Sequence, residues 1–390
     1  MRCALPGRPI RVGDPMPWFS ARTITGNAFE LQVSAGRWIV LCLLDSLEAP
    51  GAMGEVEALR AQAAQFHEDR LTLHVVLRKV PHDMAPLAVL GTPAFSFLAD
   101  ADGAIADRCG GTACTVVLDP LLHCVANIPL DHPNGHAAML RNVLASLPDP
   151  DAHAGVPLFA PALIVPRVFE FAFCEHLVRF YEEMGGSDSG FLLDRAGRTQ
   201  TVVDHRLKSR RDLVIVEPTL REAIRERIVT RLIPEIERFF QFRATRMDRY
   251  MVSCYAAEQG GHFSRHRDNV NAGAQHRKFA ASINLNRDYE GCELIFPEFG
   301  QRRYVAPYGG AIVFSTGALH QVTPVTRGKR YTFIPFFYGE EEAAARLANN
   351  ARLADGEAQY TGERDRLYPS IVPGAPGEPD GVPARMAERV

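Results

Sequence analysis

Residues 260–268 read GGHFSRHRD, and this stretch decides how the second half of the chain is interpreted. In an extended strand, residues i and i+2 lie on the same side, so His266 and Asp268 are expected to converge on one point while Arg265 and Arg267 face away from it. Charged pairs of this kind more often lie on a solvated surface than at a metal site. The downstream sequence has to decide between the two interpretations.

A histidine and an arginine further along the chain complete the candidate site. His320 follows the apolar run GGAIVF at 309–314, and Arg330 lies ten positions later. Two imidazoles and one carboxylate on a single face can hold Fe(II) and leave three coordination positions open, which allows a bidentate keto acid and then dioxygen to bind. These residue types are what a mononuclear iron oxygenase needs.

Arg330 has the chemistry to bind a dicarboxylate cosubstrate. Its planar guanidinium can pair with a carboxylate in bidentate fashion, which a lysine cannot do. The turn at 326–328 predicts that His320 and Arg330 lie on neighbouring strands that face a common interior. A surface salt bridge is the competing interpretation, and we favour cosubstrate binding over it.

Several motifs around these residues carry a family resemblance. They are Tyr255, Gly260, Gly261 and Phe263 ahead of His266, then SINLN at 282–286, GCELIFP at 291–297, GGAIVF at 309–314, HQVTPV at 320–325 and Gly328-x-Arg330. Through them, residues 165–340 resemble the catalytic domain of prolyl 4-hydroxylase-type 2-oxoglutarate/Fe(II) oxygenases. The resemblance implies a double-stranded β-helix (jelly roll) with supporting helices, in which His266, Asp268 and His320 bind Fe(II) and Arg330 binds the distal carboxylate of 2-oxoglutarate.

The same resemblance implies a reaction. An unactivated C–H bond is hydroxylated with O2, and 2-oxoglutarate is converted to succinate and CO2, with ascorbate as a candidate reductant. The intact Asp268 points to hydroxylation, because related halogenases have a small residue at that position. Phe336 stands where nucleic-acid dealkylases of the superfamily carry a second arginine, so that activity is disfavoured. The substrate stays open between peptidyl proline, a free amino acid and another small metabolite.

Further residues are assigned less directly. Tyr255 is expected to hydrogen-bond the cosubstrate, as the equivalent tyrosine does in similar enzymes, although two extra residues separate it from the His-x-Asp pair. His276 is interpreted as a loop or rim residue, and Arg277 as either a pocket residue or a strand-end cap. The basic stretch 205–211 is either a solvated loop face, which we favour, or a substrate-covering loop that attracts an acidic group.

The first third of the chain has the pattern of an α/β domain. The continuous apolar run 38–44 (WIVLCLL) predicts a strand buried on both faces, and helical spacing follows from Glu55 to Phe66. Further strands are predicted at 71–77 and 95–98, and a hairpin joins 115–118 to 124–128.

This domain resembles the peroxiredoxin-like branch of the thioredoxin fold. The motifs are GDPMP at 13–17, DADG at 100–103 and TVVLDP at 115–120. Family members that reduce peroxides carry the attacking cysteine after the first buried strand, where a helix N-terminus stabilises a thiolate. The segment 45–53 contains no cysteine, so peroxidase activity by this route is disfavoured.

Two other classes of function stay open, one of which depends on cysteines. Cys109 and Cys114 could form a redox pair, but we favour buried packing for both. A thiol-based redox protein that uses the N-terminal domain is therefore an alternative, and so is a sensor that binds metal and 2-oxoglutarate without turnover. The N-terminal domain is expected either to recruit a partner or to pack on the oxygenase domain.

Composition limits the partners. The chain has 390 residues, 46% of them hydrophobic, with 43 Lys and Arg against 46 Asp and Glu. The net charge is −3 and there are no long runs of one sign, so the sequence lacks the basic clusters typical of proteins that bind nucleic acid or anionic membranes. Eight scattered cysteines without CxxC pairs and the lack of a signal-like or membrane-spanning run predict a cytoplasmic protein that acts on a small molecule or peptide.

The chain is expected to divide into four parts. A proline-rich stretch at 148–166 predicts a linker between the peroxiredoxin-like domain, 1–147, and the oxygenase domain, 167–345. Two amphipathic helices are expected at the start of the second domain, at 168–184 and at 220–240, the latter interrupted near Pro234. The polar, Pro/Gly-rich segment 346–390 is expected to be a mobile tail.

Overall fold

The fold is taken from a computed structural model, which describes residues 8–61, 66–81, 87, 91–92, 94–132, 135–195, 197–362 and 365–368. Two domains follow one another along the chain, an α/β domain and a mainly β domain with supporting helices, as predicted. No helix in these residues is both long and apolar enough to cross a membrane. The Pro/Gly-rich end of the predicted tail, from residue 369, lies outside the described residues.

The N-terminal domain is built on a seven-stranded sheet. Its strands are β1 (Ser20–Thr23), β2 (Ala28–Glu30), β3 (Trp38–Leu44), β4 (Leu71–Leu77), β5 (Phe95–Ala99), β6 (Cys114–Leu118) and β7 (Cys124–Pro129), and its helices are α1 (Ala52–Arg60), α2 (Ala104–Cys109) and α3 (His136–Ser146). The strand order is β2-β1-β5-β4-β3-β6-β7, with β3, β4 and β5 parallel and β6-β7 an antiparallel hairpin. This is a thioredoxin-like arrangement, and the predicted strands and hairpin are confirmed.

Burial on both faces explains why β3 is apolar throughout. All seven of its residues are buried, with alternate side chains in two separate hydrophobic clusters on opposite faces of the sheet. The predicted helix after it is shorter than expected in the described residues, since α1 ends at Arg60. The carboxylate of Asp100, from the DADG motif, accepts hydrogen bonds from the backbone N–H groups of Ile105 and Ala106 and so fixes the start of α2.

The C-terminal domain is a jelly roll of two facing sheets. Its strands are β8 (Leu163–Val165), β9 (Ser187–Asp188), β10 (Phe191–Arg195), β11 (Arg198–Val202), β12 (Lys208–Ser209), β13 (Arg211–Val214), β14 (Arg246–Asp248), β15 (Met251–Ala256), β16 (His262–His266), β17 (Phe279–Asn284), β18 (Tyr289–Gly291), β19 (Leu294–Ile295), β20 (Arg303–Tyr304), β21 (Ala311–Ser315), β22 (His320–Val322), β23 (Val325–Phe333) and β24 (Phe336–Tyr338). The smaller sheet has the order β12-β16-β22-β19-β20, and the larger one contains β14-β24-β17-β23-β15-β13-β9. An apolar cluster that includes Tyr255, Leu294 and Phe314 lies between them.

Helices cover the outer face of the larger sheet. They are α4 (Phe171–Met184), α5 (Pro218–Arg231) and α6 (Ile233–Phe240), and α7 (Glu340–Ala348) follows the last strand. Apolar residues of α4, α5 and α6 pack with those of β15, β17 and β23 in one buried cluster. The break between α5 and α6 falls one residue before Ile233-Pro234, because proline cannot continue the hydrogen-bond ladder of a helix. Both predicted amphipathic helices are confirmed.

Two segments are more ordered than predicted. Within the expected linker, β8 pairs with β21 at the sheet edge, and Trp38 Nε1 donates a hydrogen bond to the carbonyl of Pro148 at 2.9 Å. Within the expected tail, Leu353 forms a β-bridge to Thr199 and Leu367 is buried in the helix-sheet cluster. Described residues of the expected tail thus contact the C-terminal domain through Leu353 and Leu367.

The N-terminal domain packs against the smaller sheet of the jelly roll. Leu319 lies within the hydrophobic cluster of the N-terminal domain. Arg267 donates to the backbone carbonyl of Gln32 at 2.9 Å and stacks on the ring of Trp18 at 4.6 Å, while Arg265 forms an ion pair with Asp69 at 3.3 Å. Of the two roles left open for the N-terminal domain, packing on the second domain is the one observed.

Candidate metal centre

His266, Asp268 and His320 come together at the inner face of the smaller sheet. One ligand-type atom from each lies within 4.8 Å of the others, and the three form the one such group of His, Cys, Asp or Glu residues in the described part of the chain. The Nε2 atoms of His266 and His320 are 3.5 and 3.4 Å from the carboxylate oxygens of Asp268. The structure thus brings together the three residues that the sequence selected as ligands.

Strand pairing and backbone bonds position the three side chains. His266 on β16 and His320 on β22 are register partners. The backbone N–H of Asp268, which follows the end of β16, donates to the carbonyl of Thr316 at 3.0 Å. The arginines on either side of His266 point outward to the N-terminal domain, as the alternation of a strand requires.

Burial and neighbouring side chains together favour the protonation states that metal binding needs. His320 is only 4% exposed, and burial, followed by the neighbouring imidazole of His266, lowers its pKa to about 4, so the ring is neutral near pH 7. Burial disfavours ionisation of Asp268, but the two imidazoles outweigh it and hold the pKa of the carboxyl below its usual value. A neutral imidazole and an ionised carboxylate are the forms that donate to a metal.

Arg330 and Tyr255 line the same small cavity as the three ligand candidates. The cavity measures about 50 Å³ and lies between the two sheets. Arg330 is buried on β23, where Asn284 accepts from its Nε at 2.9 Å and Ser282 from its Nη2 at 2.8 Å. Tyr255 is the register partner of Arg330 on β15. The two extra residues before the His-x-Asp pair do not take Tyr255 away from this cavity, since a turn at 257–261 absorbs them.

The expected placement of Arg330 relative to His320 is wrong in one respect. The two residues face a common interior, but β22 belongs to the smaller sheet and β23 to the larger one, so they are not on neighbouring strands. The reason is that residues 323–324 carry the chain across from one sheet to the other, and 326–328 continue strand β23 instead of forming the turn.

The basic stretch 205–211 is not a solvated face at every position. Lys208 and Arg210 are buried, and both line the cavity. Nη1 of Arg210 donates to the phenol oxygen of Tyr255 at 3.3 Å, and its Nη2 pairs with Asp212 at 2.8 Å. The period-two alternation of Lys208 and Arg210 along the chain was the signal that both point to one side.

Two further predictions concern residues near the site. His276 is buried against the ring of Tyr338, so its assignment to the rim is wrong. A second cavity lies immediately outside the one that contains the ligand candidates. Arg277 lines this second cavity and pairs with Asp248 at 3.2 Å. Arg249 was not selected from the sequence, yet it lines both cavities. No local motif marks it, because it reaches the site from an irregular step between β14 and β15, where the pairing with β24 and β23 shifts register.

The cysteines of the N-terminal domain lack the surroundings of a reactive thiol. Cys109 and Cys114 are buried, and burial raises the pKa of both thiols, that of Cys114 to about 11. A reactive cysteine needs a lowered pKa and access to solvent. Their interpretation as packing residues agrees with these surroundings.

Comparison with known proteins identifies the C-terminal region. Residues 250–338 match the model of the 2OG-Fe(II) oxygenase superfamily. The C-terminal domain resembles the 2OG-Fe(II) oxygenases, as predicted. A PKHD-type hydroxylase from Pseudomonas fluorescens is 36% identical over 133 residues, which are 31% of this chain and 57% of the relative. Another, from a Synechococcus strain, is 33% identical over 91 residues, 22% of this chain and 40% of the relative. The chain thus spans about half the length of these curated relatives.

Two solved structures are each similar to part of the chain. A prolyl hydroxylase from Trichoplax adhaerens, in complex with a hypoxia inducible factor peptide fragment, has 20% identity and a TM-score of 0.39, and the match covers 47% of this chain and 86% of that one. The peroxidoxin BcpB from Mycobacterium tuberculosis has 22% identity and a TM-score of 0.31, with 35% and 95% covered.

Proposed function

We propose that the protein is an Fe(II)- and 2-oxoglutarate-dependent dioxygenase that hydroxylates an unactivated C–H bond and releases succinate and CO2. The observation that carries this proposal is the convergence of His266, Asp268 and His320 beside a buried arginine, in a region that matches the superfamily. Peptidyl proline, a free amino acid and another small metabolite are the substrate classes considered.

The donor set fits a mononuclear iron site. Nδ1 of His266 bonds the carbonyl of Ser264 at 2.7 Å, and Nδ1 of His320 bonds the carbonyl of Ala318 at 3.0 Å. With Nδ1 carrying the proton in each ring, both Nε2 atoms have a free lone pair directed toward the carboxylate of Asp268. Two nitrogens and one oxygen on one face are the combination used for Fe(II) in oxygenases.

The other side chains of the cavity would bind and orient the reactants. Arg330 would hold the distal carboxylate of 2-oxoglutarate, with its guanidinium oriented by hydrogen bonds to Ser282 and Asn284. Tyr255 would add a phenol hydrogen bond. Bound iron and dioxygen supply the oxidising power that side chains lack. Apolar neighbours such as Phe314 and Leu294 keep bulk water from the site.

The alternative of a thiol-based redox protein has less support. The seven described cysteines are buried, and none of them follows β3 at the start of α1. A sensor without turnover would use the same site as the dioxygenase. The experiment below distinguishes the two functions.

The test is anaerobic reconstitution with Fe(II) and 2-oxoglutarate, then addition of oxygen and measurement of succinate. We expect succinate from the wild type, loss of nearly all of it in Asp268→Ala, and its retention in His262→Ala, whose exposed imidazole lies on the same strand as His266. Equal succinate from the wild type and Asp268→Ala would remove Asp268 from catalysis. Affinity for 2-oxoglutarate without succinate, across a broad substrate panel, would instead indicate a sensor.

A further inference from the structure

A second cavity lies immediately outside the metal centre. It measures about 160 Å³ and shares His266, Asp268 and Phe263 with the inner cavity. Its outer wall includes Glu30 and Val33 from the N-terminal domain. A substrate that reacts at the metal centre has to occupy this space, because it is the described cavity that adjoins both the ligand candidates and the domain interface.

Four cationic side chains line this outer cavity, and three of them already have partners. Arg267 forms an ion pair with Glu298 at 2.8 Å. Lys208 donates from Nζ to the carbonyl of Gly190 at 2.6 Å and lies 5.0 Å from the ring centre of Phe263. Arg277 forms its ion pair with Asp248. Within the described residues Arg249 makes no side-chain hydrogen bond or ion pair, and its guanidinium lies 5.2 Å from the ring centre of Phe336.

The backbone of Arg249 is also unusual. Its φ of 65° lies in the left-handed region, which costs a non-glycine residue on the order of 1 kcal/mol or more. Such conformations persist where the surrounding structure imposes them, and they concentrate at ligand-binding positions. Burial, together with the nearby guanidinium of Arg277, lowers the pKa of Arg249 to about 10, so it is still a cation at neutral pH.

We propose that Arg249 is the binding residue for a carboxylate group of the primary substrate, with Lys208 beside it. The inference rests on the proposed function and narrows its substrate class to molecules with a free carboxylate, such as a free amino acid. An unpaired guanidinium next to a cavity can form charge-assisted hydrogen bonds with a carboxylate that enters it. A peptide bonded on both sides of the reacting residue offers no such group at this position.

A different arginine is available for the cosubstrate. Arg330 lines the inner cavity but not the outer one, whereas Arg249 lines both. The two guanidinium groups therefore stand where two different anions can be held, one deep between the sheets and the other toward the entrance.

The experiment measures binding, not turnover. The full-length protein is loaded with Zn(II), which does no redox chemistry, and with saturating 2-oxoglutarate. The probes are matched pairs, each an L-amino acid and its carboxamide. Their binding is measured by thermal denaturation and by calorimetric titration. We expect at least one acid to bind the wild type about tenfold or more tightly than its amide, which is the range for a charged hydrogen bond. We expect Arg249→Gln to lose this preference and Arg249→Lys to retain part of it.

Glu30→Gln provides the matched control, because it removes the opposite charge from the same cavity. This variant should keep or increase the preference for acids. Equal binding of acids and amides to the wild type, no binding of any acid, or an unchanged preference in Arg249→Gln would each overturn the inference. A loss of 2-oxoglutarate affinity in Arg249→Gln would also overturn it, by assigning Arg249 to the cosubstrate. Failure of the wild type to bind Zn(II) or 2-oxoglutarate would instead count against the proposed function.

Discussion

His266 and His320 are register partners on the antiparallel strands β16 and β22, with their ring centres 4.2 Å apart. They are separated by more than fifty residues in sequence, and the segment between them includes five strands of the jelly roll. A metal ion bound by both rings would therefore connect two distant parts of the fold. Because binding to the native state alone stabilises that state, metal affinity should be measurable as fold stability.

We expect Zn(II) or Fe(II) under anaerobic conditions to raise the melting temperature of the protein as metal concentration increases. At a free metal concentration of one hundred times Kd, the gain in unfolding free energy is about 2.7 kcal/mol. His320→Ala should abolish this dependence, and a chelator should reverse it in the wild type. His262→Ala is the control, since its side chain bonds only backbone carbonyls at the rim. Equal stabilisation of His320→Ala and the wild type would contradict the proposed ligand set.

Arg330 offers a test that separates charge from geometry. Arg330→Gln should raise the KM for 2-oxoglutarate by about 10- to 150-fold, the range for one lost charged hydrogen-bond contact. Arg330→Lys should recover only part of the affinity, because an ammonium cannot bind a carboxylate in bidentate fashion. Steady-state succinate production at varied 2-oxoglutarate measures both variants. An unchanged KM in Arg330→Gln would assign the distal carboxylate to another cation.

Local patterns were sufficient to predict the elements and the pair His266 and Asp268. The all-apolar run at 38–44 predicted β3, and the spacing of His266 and Asp268 predicted two side chains on one face. These features depend on the periodicity of a strand, which can be recognised from residues adjacent in sequence. The partnership of His320 with them came from the family resemblance, since no local rule gives a register between distant strands.

The parts that were missed depend on tertiary contacts. Arg249 reaches the cavity from a left-handed backbone conformation between β14 and β15, which sequence preferences disfavour for a residue that is neither glycine nor asparagine. The positions of Leu353 and Leu367 depend on contacts with Thr199 and with the helix-sheet cluster, respectively. The burial of Lys208 requires the N-terminal part of the jelly roll to fold back over the ligand strand β16. None of these features can be predicted from neighbouring residues in the sequence.

The stability of the N-terminal domain should depend on pH through His74. This residue is 5% exposed, its Nδ1 bonds the hydroxyl of Ser96 at 2.8 Å, and burial lowers its pKa from 6.5 to about 3. The unfolded chain therefore binds more protons than the native state between these values, and stability is full above pH 6.5 and is lost as the pH falls toward 3.

The expected slope is up to about 1.4 kcal/mol per pH unit below pH 6. Urea unfolding at a series of pH values measures it, and His74→Gln should flatten the dependence while keeping a partner for Ser96. His67→Gln, at an exposed site of the same domain, should leave the slope as in the wild type. A wild-type slope that His74→Gln does not change would show that other groups govern acid unfolding.

Arg267 connects the metal centre to the N-terminal domain. It lies between the proposed ligands His266 and Asp268 but points outward, where it forms a buried ion pair with Glu298 at 2.8 Å and donates to the carbonyl of Gln32. Glu298 also accepts from the backbone N–H of Leu319, the residue before His320. One carboxylate thus joins both ligand strands to the domain interface.

We expect Arg267→Met to destabilise the protein by about 3 to 5 kcal/mol, because it leaves the carboxylate of Glu298 buried without its partner. Metal affinity should also fall, by about 10- to 100-fold, the range for residues that orient metal ligands. Arg238→Met is the matched control, since it removes an exposed ion pair with Glu235 and should change stability by less than about 1 kcal/mol. Urea unfolding and metal titration measure the two effects separately. If Arg267→Met loses stability but binds metal as tightly as the wild type, the N-terminal domain supports the fold without positioning the ligands.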